Sequence, residues 1–133
     1  MAAIEVVDAY LGGLPGESRS LAPGEWGLTL PPESAAGWPL DIGLRLADGL
    51  LRVQAEALPG ASDIDAWMLL WWNRQTRLIR FACTRAQDIW VHGEAPVAGL
   101  DERGLDRLLG LVVEGCIAVR EHATAVREPG AGK

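Results

Sequence analysis

The feature that most constrains the fold is segment 39–58, where apolar and polar residues alternate on both sides of Asp48-Gly49. Asp-Gly is a preferred central pair for a two-residue β-hairpin turn. Closing the turn at this point gives one wholly apolar face, and a slip of one residue would send those side chains to the other face. The apolar pairs are Ala47 with Leu50, Leu46 with Leu51, Leu44 with Val53, and Ile42 with Ala55. The sequence therefore predicts an antiparallel hairpin in this register.

The polar face of the same hairpin brings like charges together. Arg45 falls opposite Arg52, and Asp41 falls opposite Glu56. Directly opposed like charges are unfavourable in a sheet. Three ways of compensating this repulsion remain open. Opposite charges could come from a third strand, from a binding partner, or from diagonal pairing with nearby acids in solvent, where ion pairs are weak.

A second hairpin is predicted from residues 77–84 and 88–95, which also alternate. One predicted face carries Ile79, Phe81, Cys83, Ile89 and Val91. The other predicted face carries Arg80, Trp90, His92 and Glu94, with His92 nearly opposite Arg80.

Helical patterns occur at the two ends and in the middle of the chain. Residues 2–11 predict a short amphipathic helix, after which 14–24 reads as a loop and 25–30 as a short strand. Ser62, with Asp65 three residues on, predicts a capped helix start, and that helix runs to about Asn73. Asp101 predicts the cap of the last helix. The apolar stripe of that helix comprises Leu105, Leu108, Leu109, Val112, Cys116, Val119 and Ala123.

These elements predict an α+β fold in the order α-β-β-β-α-β-β-α. We expect a single twisted antiparallel sheet of about five strands with helices packed on it. Residues 1–123 are expected to form one domain, and residues 124–133 a flexible C-terminal tail.

Composition narrows the functional classes. The net charge of −6 argues against nucleic-acid binding, which needs a clustered positive face. The N-terminal residues lack the basic start of a signal peptide, and no apolar run approaches the roughly 20 residues that span a bilayer. Cys83 and Cys116 lie far apart without a metal-binding motif. We expect a cytoplasmic protein with free thiols, no membrane role and no cofactor.

The one candidate constellation for chemistry is Arg80, His92 and Glu94 on the second hairpin. Catalysis needs a nucleophile or a positioned acid–base pair in a concave pocket, and the pattern indicates neither. A metal site needs three or four ligands, and the second histidine, His122, is far away in the sequence. We therefore expect no enzymatic activity and read these residues as a solvated strand surface.

Three of the six tryptophans crowd the middle helix, in "AWMLLWWN". At 100° per residue one stripe suffices to cover the sheet, namely Ile64, Trp67, Met68 and Trp71. This leaves Leu69, Leu70 and Trp72 for another surface, most simply a two-fold interface with a second copy. One alternative is that the N-terminal segment covers this face in a monomer. Another is a small-molecule cleft formed where the helix meets Trp26, Trp38 and Trp90.

Residues 38–123 resemble the YbjN-domain family and the type III secretion chaperone fold. The resemblance is carried by "LRLADGLLRVQA", "LLWWNRQTRLIRFAC" and "DIWVHGEAPVAGLDERGLDRLLGLVVEG". It implies a small, acidic, usually dimeric protein that binds other proteins, with no catalytic residues to carry over. The tryptophans at 67–72 depart from the family, which more often has leucine there.

The expected function is therefore non-enzymatic protein binding, chaperone-like or regulatory, by a homodimer with an unidentified protein partner. The expected dimer interface comprises Leu69, Leu70 and Trp72, and the expected partner-facing sheet surface comprises Arg45, Arg52, Arg80, His92 and Glu94. The alternative is a small-molecule-binding regulatory domain with a tryptophan-lined cleft.

Overall fold

The computed structural model describes residues 2–61 and 63–127. Within those residues the helices are α1 (Ala3–Gly12), α2 (Ala66–Gln75) and α3 (Glu102–Arg127), with a short 3₁₀ turn at Pro32–Ser34. The strands are β1 (Glu17–Ala22), β2 (Glu25–Leu30), β3 (Leu40–Ala47), β4 (Leu50–Leu58), β5 (Ile79–Cys83) and β6 (Ile89–Pro96).

The strands form one antiparallel sheet in the order β1-β2-β3-β4-β6-β5. Helix α3 packs on β4, β5 and β6, with α1 beside it and α2 against β5. The apolar side chains of the strands point toward this helical layer, and most of the charged ones point the other way. The predicted α+β architecture is confirmed, although the sheet has six strands where about five were expected.

The additional strand is β1, in the segment that the sequence analysis assigned to a loop. Its six residues are all exposed, so it lacks the apolar alternation by which a half-buried strand is recognised. It is paired with β2, where Arg19 lies opposite Gly27. The Arg19 side chain lies over Gly27 of β2 and donates a hydrogen bond to Thr29 Oγ1 on the same strand at 3.1 Å. Backbone pairing and one crossing arginine hold this edge strand, and neither leaves a periodic apolar signal.

The register of the β3–β4 hairpin is confirmed. All four predicted apolar pairs, from Ala47 with Leu50 to Ile42 with Ala55, are opposite each other. Asp48 and Gly49 both have positive φ, at 54° and 75°, which is the backbone of a type I′ turn.

The second hairpin is also confirmed, with Phe81 opposite Val91 and Arg80 opposite His92. Ile79, Phe81, Ile89 and Val91 are buried as expected. Cys83 shares their face but is exposed, because it ends the edge strand.

Helix α3 supplies the centre of the core. Asp101 Oδ1 accepts a hydrogen bond from the Gly104 amide at 2.8 Å, as predicted for a cap. The predicted apolar stripe is buried along its whole length. A Cβ at Gly115 would lie 3.1 Å from Ile79 Cδ1, so the glycine lets this helix approach β5 closely. The helix continues through Arg127, past the expected domain boundary at residue 123, and residues 128–133 of the expected tail lie outside the described residues.

Helix α1 is confirmed within a residue, whereas α2 begins later than expected. The α2 cap is Asp65, whose side chain accepts a hydrogen bond from the Trp67 amide at 2.9 Å. Asp65 therefore precedes the helix instead of lying three residues inside it. Ser62, the predicted start, lies outside the described residues.

Candidate protein-binding surfaces

One face of α2 presents large apolar side chains to solvent. Trp67 is 78% exposed, Trp71 59% and Leu70 58%. Exposed tryptophans on adjacent turns of one helix form a contiguous apolar patch, a feature typical of interaction sites. We call these three residues the α2 face.

The packing direction expected for α2 was wrong for the two tryptophans of the predicted stripe, although Ile64 and Met68 of the same stripe do pack against the core. Trp67 and Trp71, expected to cover the sheet, point outward. Leu69, expected in an interface, is buried, and Trp72 is half-buried with its ring edge-on to Phe81 at 5.4 Å. Of the three residues expected at the interface, only Leu70 is on the exposed side.

Hydrogen bonds at the C-terminal end of α2 explain this rotation. The Asn73 carboxamide accepts from the Phe81 amide at 2.6 Å and donates to the Phe81 carbonyl at 3.0 Å. The Thr76 hydroxyl donates to the Ile79 carbonyl at 3.0 Å. Residues four apart share a helix face, so turning Asn73 and Thr76 toward β5 also turns Leu69 and Trp72 inward. The sequence analysis weighed only the apolar residues and missed these two polar anchors.

The N-terminal segment does not cover the α2 face. Tyr10 on α1 donates a hydrogen bond to Asp106 on α3 at 2.6 Å. Asp8 accepts one from the Trp26 indole at 2.7 Å. These contacts hold α1 against α3 and β2. The alternative in which the N-terminal segment shields the outward side of α2 is therefore wrong.

The sheet surface opposite the helices carries a row of charges across four strands. Glu25, Arg45, Arg52 and Glu94 are successive neighbours on β2, β3, β4 and β6. Arg45 Nε lies 3.4 Å from Glu25, and Arg52 Nε lies 3.6 Å from Glu94. The opposed arginines predicted from the sequence are present, and an acid on the outer neighbouring strand relieves each of them. Of the three ways of relieving the repulsion between Arg45 and Arg52, pairing with acids on a further strand is the one observed, on β2 for Arg45 and on β6 for Arg52.

Glu94 joins a second arginine at the edge of this surface. Its carboxylate accepts a hydrogen bond from Arg80 at 2.6 Å, and this bond lowers the pKa of Glu94. His92 stacks on Trp90. Burial, followed by the charge of Arg80, lowers the pKa of His92. Glu94 is thus a carboxylate held between two arginines, with His92 beside it on the same face of the sheet.

Residues 2–61 and 63–127 contain no group of three histidine, cysteine, aspartate or glutamate side chains placed to hold a metal ion. Cys116 lies on the buried side of α3, and this burial raises its pKa to about 12, whereas Cys83 is exposed at the end of β5.

The three tryptophans proposed to line a ligand cleft do not converge. The Trp26 indole is bound to α1, and Trp90 lies on the opposite face of the sheet beside His92. Trp38 lies under the guanidinium of Arg120, with 4.0 Å between the guanidinium carbon and the ring centroid. These three tryptophans therefore do not form the cleft that the sequence analysis gave as an alternative.

Arg120 is a residue that the sequence analysis missed. It is 2% exposed, yet it lies on a helix whose apolar stripe includes its neighbour Val119. Its guanidinium donates to four backbone carbonyls, those of Ala35, Trp38, Pro39 and Ala57. Because these carbonyls come from a loop and a strand end distant in sequence, nothing local marks the residue as buried.

The fold is that of the type III secretion chaperones and of YbjN. YbjN from E. coli, a proposed transcription regulator, has a TM-score of 0.68 and 15% identity, over 93% of this chain and 92% of that chain. The chaperone SycH of Yersinia pestis, crystallised with a fragment of YscM2, has a TM-score of 0.62 and 17% identity, over 88% and 98%. A chain of the HopA1–SchA chaperone–effector complex has a TM-score of 0.65 and 14% identity, over 88% and 91%.

The resemblance drawn from the sequence is thus confirmed for the fold. No protein-family model matches the chain, and no curated protein matches it in sequence. In the described part of the chain, no helix is both long enough and apolar enough to cross a membrane.

Proposed function

We propose that this protein is a non-enzymatic protein-binding module, chaperone-like or regulatory, that acts as a homodimer in the cytoplasm. The observation that carries the proposal is the α2 face, with Trp67 and Trp71 more than half exposed on one side of a helix. The fold supports the same class, since SycH and the HopA1–SchA chain come from complexes of chaperones with protein partners.

The α2 face is large enough to form the apolar centre of a dimer interface. Its two tryptophans and Leu70 offer about 400 Å² of apolar side chain, on the scale of 150–250 Å² for a buried aromatic. Two copies packed through a two-fold axis bury about 800 Å², or about 20 kcal/mol gross at 25 cal/mol per Å². Association costs about 4–15 kcal/mol before side-chain ordering is added, so these residues form the centre of the interface and neighbouring surface joins it.

The dimer is tested by light scattering coupled to size exclusion. The wild type at tens of micromolar, roughly where weak dimers assemble, is expected to have twice the mass of the chain. The variant that combines Trp71→Glu with Leu70→Arg is expected to be monomeric and folded, since both side chains are exposed. Leu21→Arg is the matched control, because Leu21 is as exposed as Leu70 but lies on β1. A monomeric wild type, or a double variant that stays dimeric, contradicts the proposal.

The protein partner is proposed to contact the open sheet surface, formed by Arg45, Arg52, Arg80, His92 and Glu94. These residues lie opposite the helical layer, and the side chains of the three arginines are more than half exposed. Because these side chains are polar, the surface can stay exposed to water in the free protein and be covered only when a partner binds.

The partner surface is tested by affinity capture with matched baits. Proteins retained by the wild type are expected to be lost by Arg45→Glu with Arg52→Glu, since charge reversal opposes a complementary surface. They should be retained by Arg103→Glu, an exposed change on α3. Equal capture by all three baits would place the partner elsewhere on the molecule.

A further inference from the structure

An open groove of about 430 Å³ lies between the end of α2, strand β5 and helix α3. Trp72, Ile79 and Phe81 line it from the α2 and β5 side, and Leu111, Gly115 and Ala118 line it from α3. The groove is distinct from the α2 face, because Trp72 is on the inward side of that helix.

The groove has two chemically different ends. Ile79, at the start of β5, pairs with Gly93 on β6, and Gly93 packs against Leu108 on α3. The start of β5 therefore lies beside the early turns of α3. The side chains of Ile79 and Phe81 both reach Gly115, and Trp72 contacts His122, two turns further along α3, with 5.8 Å between ring centroids. The groove therefore runs along α3, with the tryptophan near the later turns.

Two arginines line the end nearer the start of α3. Arg77 comes just before β5, and Arg107 is one turn before Leu111. Within the described residues, neither guanidinium makes an ion pair or a hydrogen bond. Each is exposed and able to bind an anion. Glu114 also lines the groove, between the arginines and Ala118.

We propose that this groove binds an amphipathic monoanion, an elongated apolar chain or ring system with one terminal carboxylate. The apolar part packs along Trp72, Phe81 and Ile79 and is removed from water there. The carboxylate is bound by Arg77 and Arg107, whose planar donors match its geometry. Glu114 repels a second negative charge further along the ligand, so monoanions bind better than dicarboxylates of the same length.

The proposal does not depend on the dimer or on a protein partner. Decanoate is titrated below its micelle concentration into the full chain and followed by calorimetry. Decanol and decyltrimethylammonium, of the same chain length, are the matched neutral and cationic probes. Decanoate is expected to bind at least about tenfold more tightly than either, since a charge-assisted contact is worth a factor of this order.

Variants identify the site. Arg77→Ala with Arg107→Ala is expected to weaken decanoate at least about tenfold, whereas Arg103→Ala on the same helix leaves it unchanged. Ala118→Trp fills the groove and should abolish binding, and Ala118 is exposed, so the fold tolerates the change. Circular dichroism confirms that each variant is folded. The variant with Trp71→Glu and Leu70→Arg should still bind, which excludes the α2 face as the site.

Three results would overturn the proposal. The first is an absence of decanoate binding, which leaves the groove to an apolar side chain of a protein partner. The second is equal binding of decanol, and the third is binding that survives Ala118→Trp.

Discussion

Replacing Arg120 with methionine should destabilise the fold through the carbonyl groups that the arginine leaves behind. Arg120 Nε donates to the Ala57 carbonyl at 2.9 Å, and Nη1 donates to the Ala35 carbonyl at 2.7 Å. Both alanines are fully buried, so their carbonyls lose their donors where water cannot easily replace them. The carbonyls of Trp38 and Pro39 are only partly buried and can be rehydrated.

The magnitude follows from these contacts. Each buried carbonyl left without a donor costs about 1–3 kcal/mol, and the lost stacking on Trp38 costs about 0.5–2 kcal/mol. Methionine keeps the aliphatic packing and avoids the desolvation of the guanidinium, whose pKa burial lowers, and this offsets part of the loss. We expect the free energy of unfolding to fall by about 3 kcal/mol.

Urea denaturation followed by tryptophan fluorescence measures the change. Arg103→Met is the matched control, because Arg103 is exposed on the same helix, and it should change the free energy of unfolding by less than about 0.5 kcal/mol. A loss below about 1 kcal/mol for Arg120→Met would refute the reasoning. It would mean that water reaches all four carbonyls or that the cost of burying the cation cancels its hydrogen bonds.

Phe81→Ala should lower the free energy of unfolding by about 3–5 kcal/mol in the same assay, because Phe81 is a large side chain buried in the core; a loss below 1 kcal/mol would contradict the packing of β5. Arg80→Ala should change it by less than about 0.5 kcal/mol and raise the pKa of Glu94, measured by carboxyl NMR, because it removes the hydrogen bond that lowers this pKa. A lowered carboxyl pKa stabilises the fold above the usual glutamate range, so any difference at pH 7 should vanish as the pH falls through the lowered pKa. In thiol titration of the native protein Cys83 should react and Cys116 should react only after denaturation, since burial raises the pKa of Cys116 to about 12; two rapidly reacting thiols would contradict its burial.

In the sheet, the sequence pattern predicted the pairing of some strands but not of others. The Asp48-Gly49 turn with its flanking alternation determined the β3–β4 register, because a local turn and a two-residue period leave one solution. Strand β1 gave no such signal, since all its side chains are exposed and its pairing with β2 is made by the backbone. A fully exposed edge strand is recognisable only once its neighbour is in place.

The candidate surfaces were likewise predicted only in part from the sequence. Alternation alone placed Arg45, Arg52, Arg80, His92 and Glu94 on one face of the sheet, because strand parity is local. It could not place Glu25 beside Arg45, a pairing that depends on the order of the strands. The groove between α2 and α3 was missed altogether, since its walls are separated in sequence and meet only in the folded chain.

The rotation of α2 was decided by tertiary structure. The helix is apolar on nearly every side from Ala66 to Trp72, so apolar periodicity fitted more than one rotation, and the one it favoured was wrong. Two hydrogen bonds between the Asn73 side chain and the backbone of Phe81, one donated and one accepted by Asn73, select the observed rotation and leave Trp67 and Trp71 exposed. By itself, the sequence determined the elements whose signals are local: the two hairpins, the capped α3 helix and its buried stripe. Only the tertiary structure decided the outward side of α2 and the burial of Arg120, because both depend on backbone groups that folding brings from distant parts of the chain.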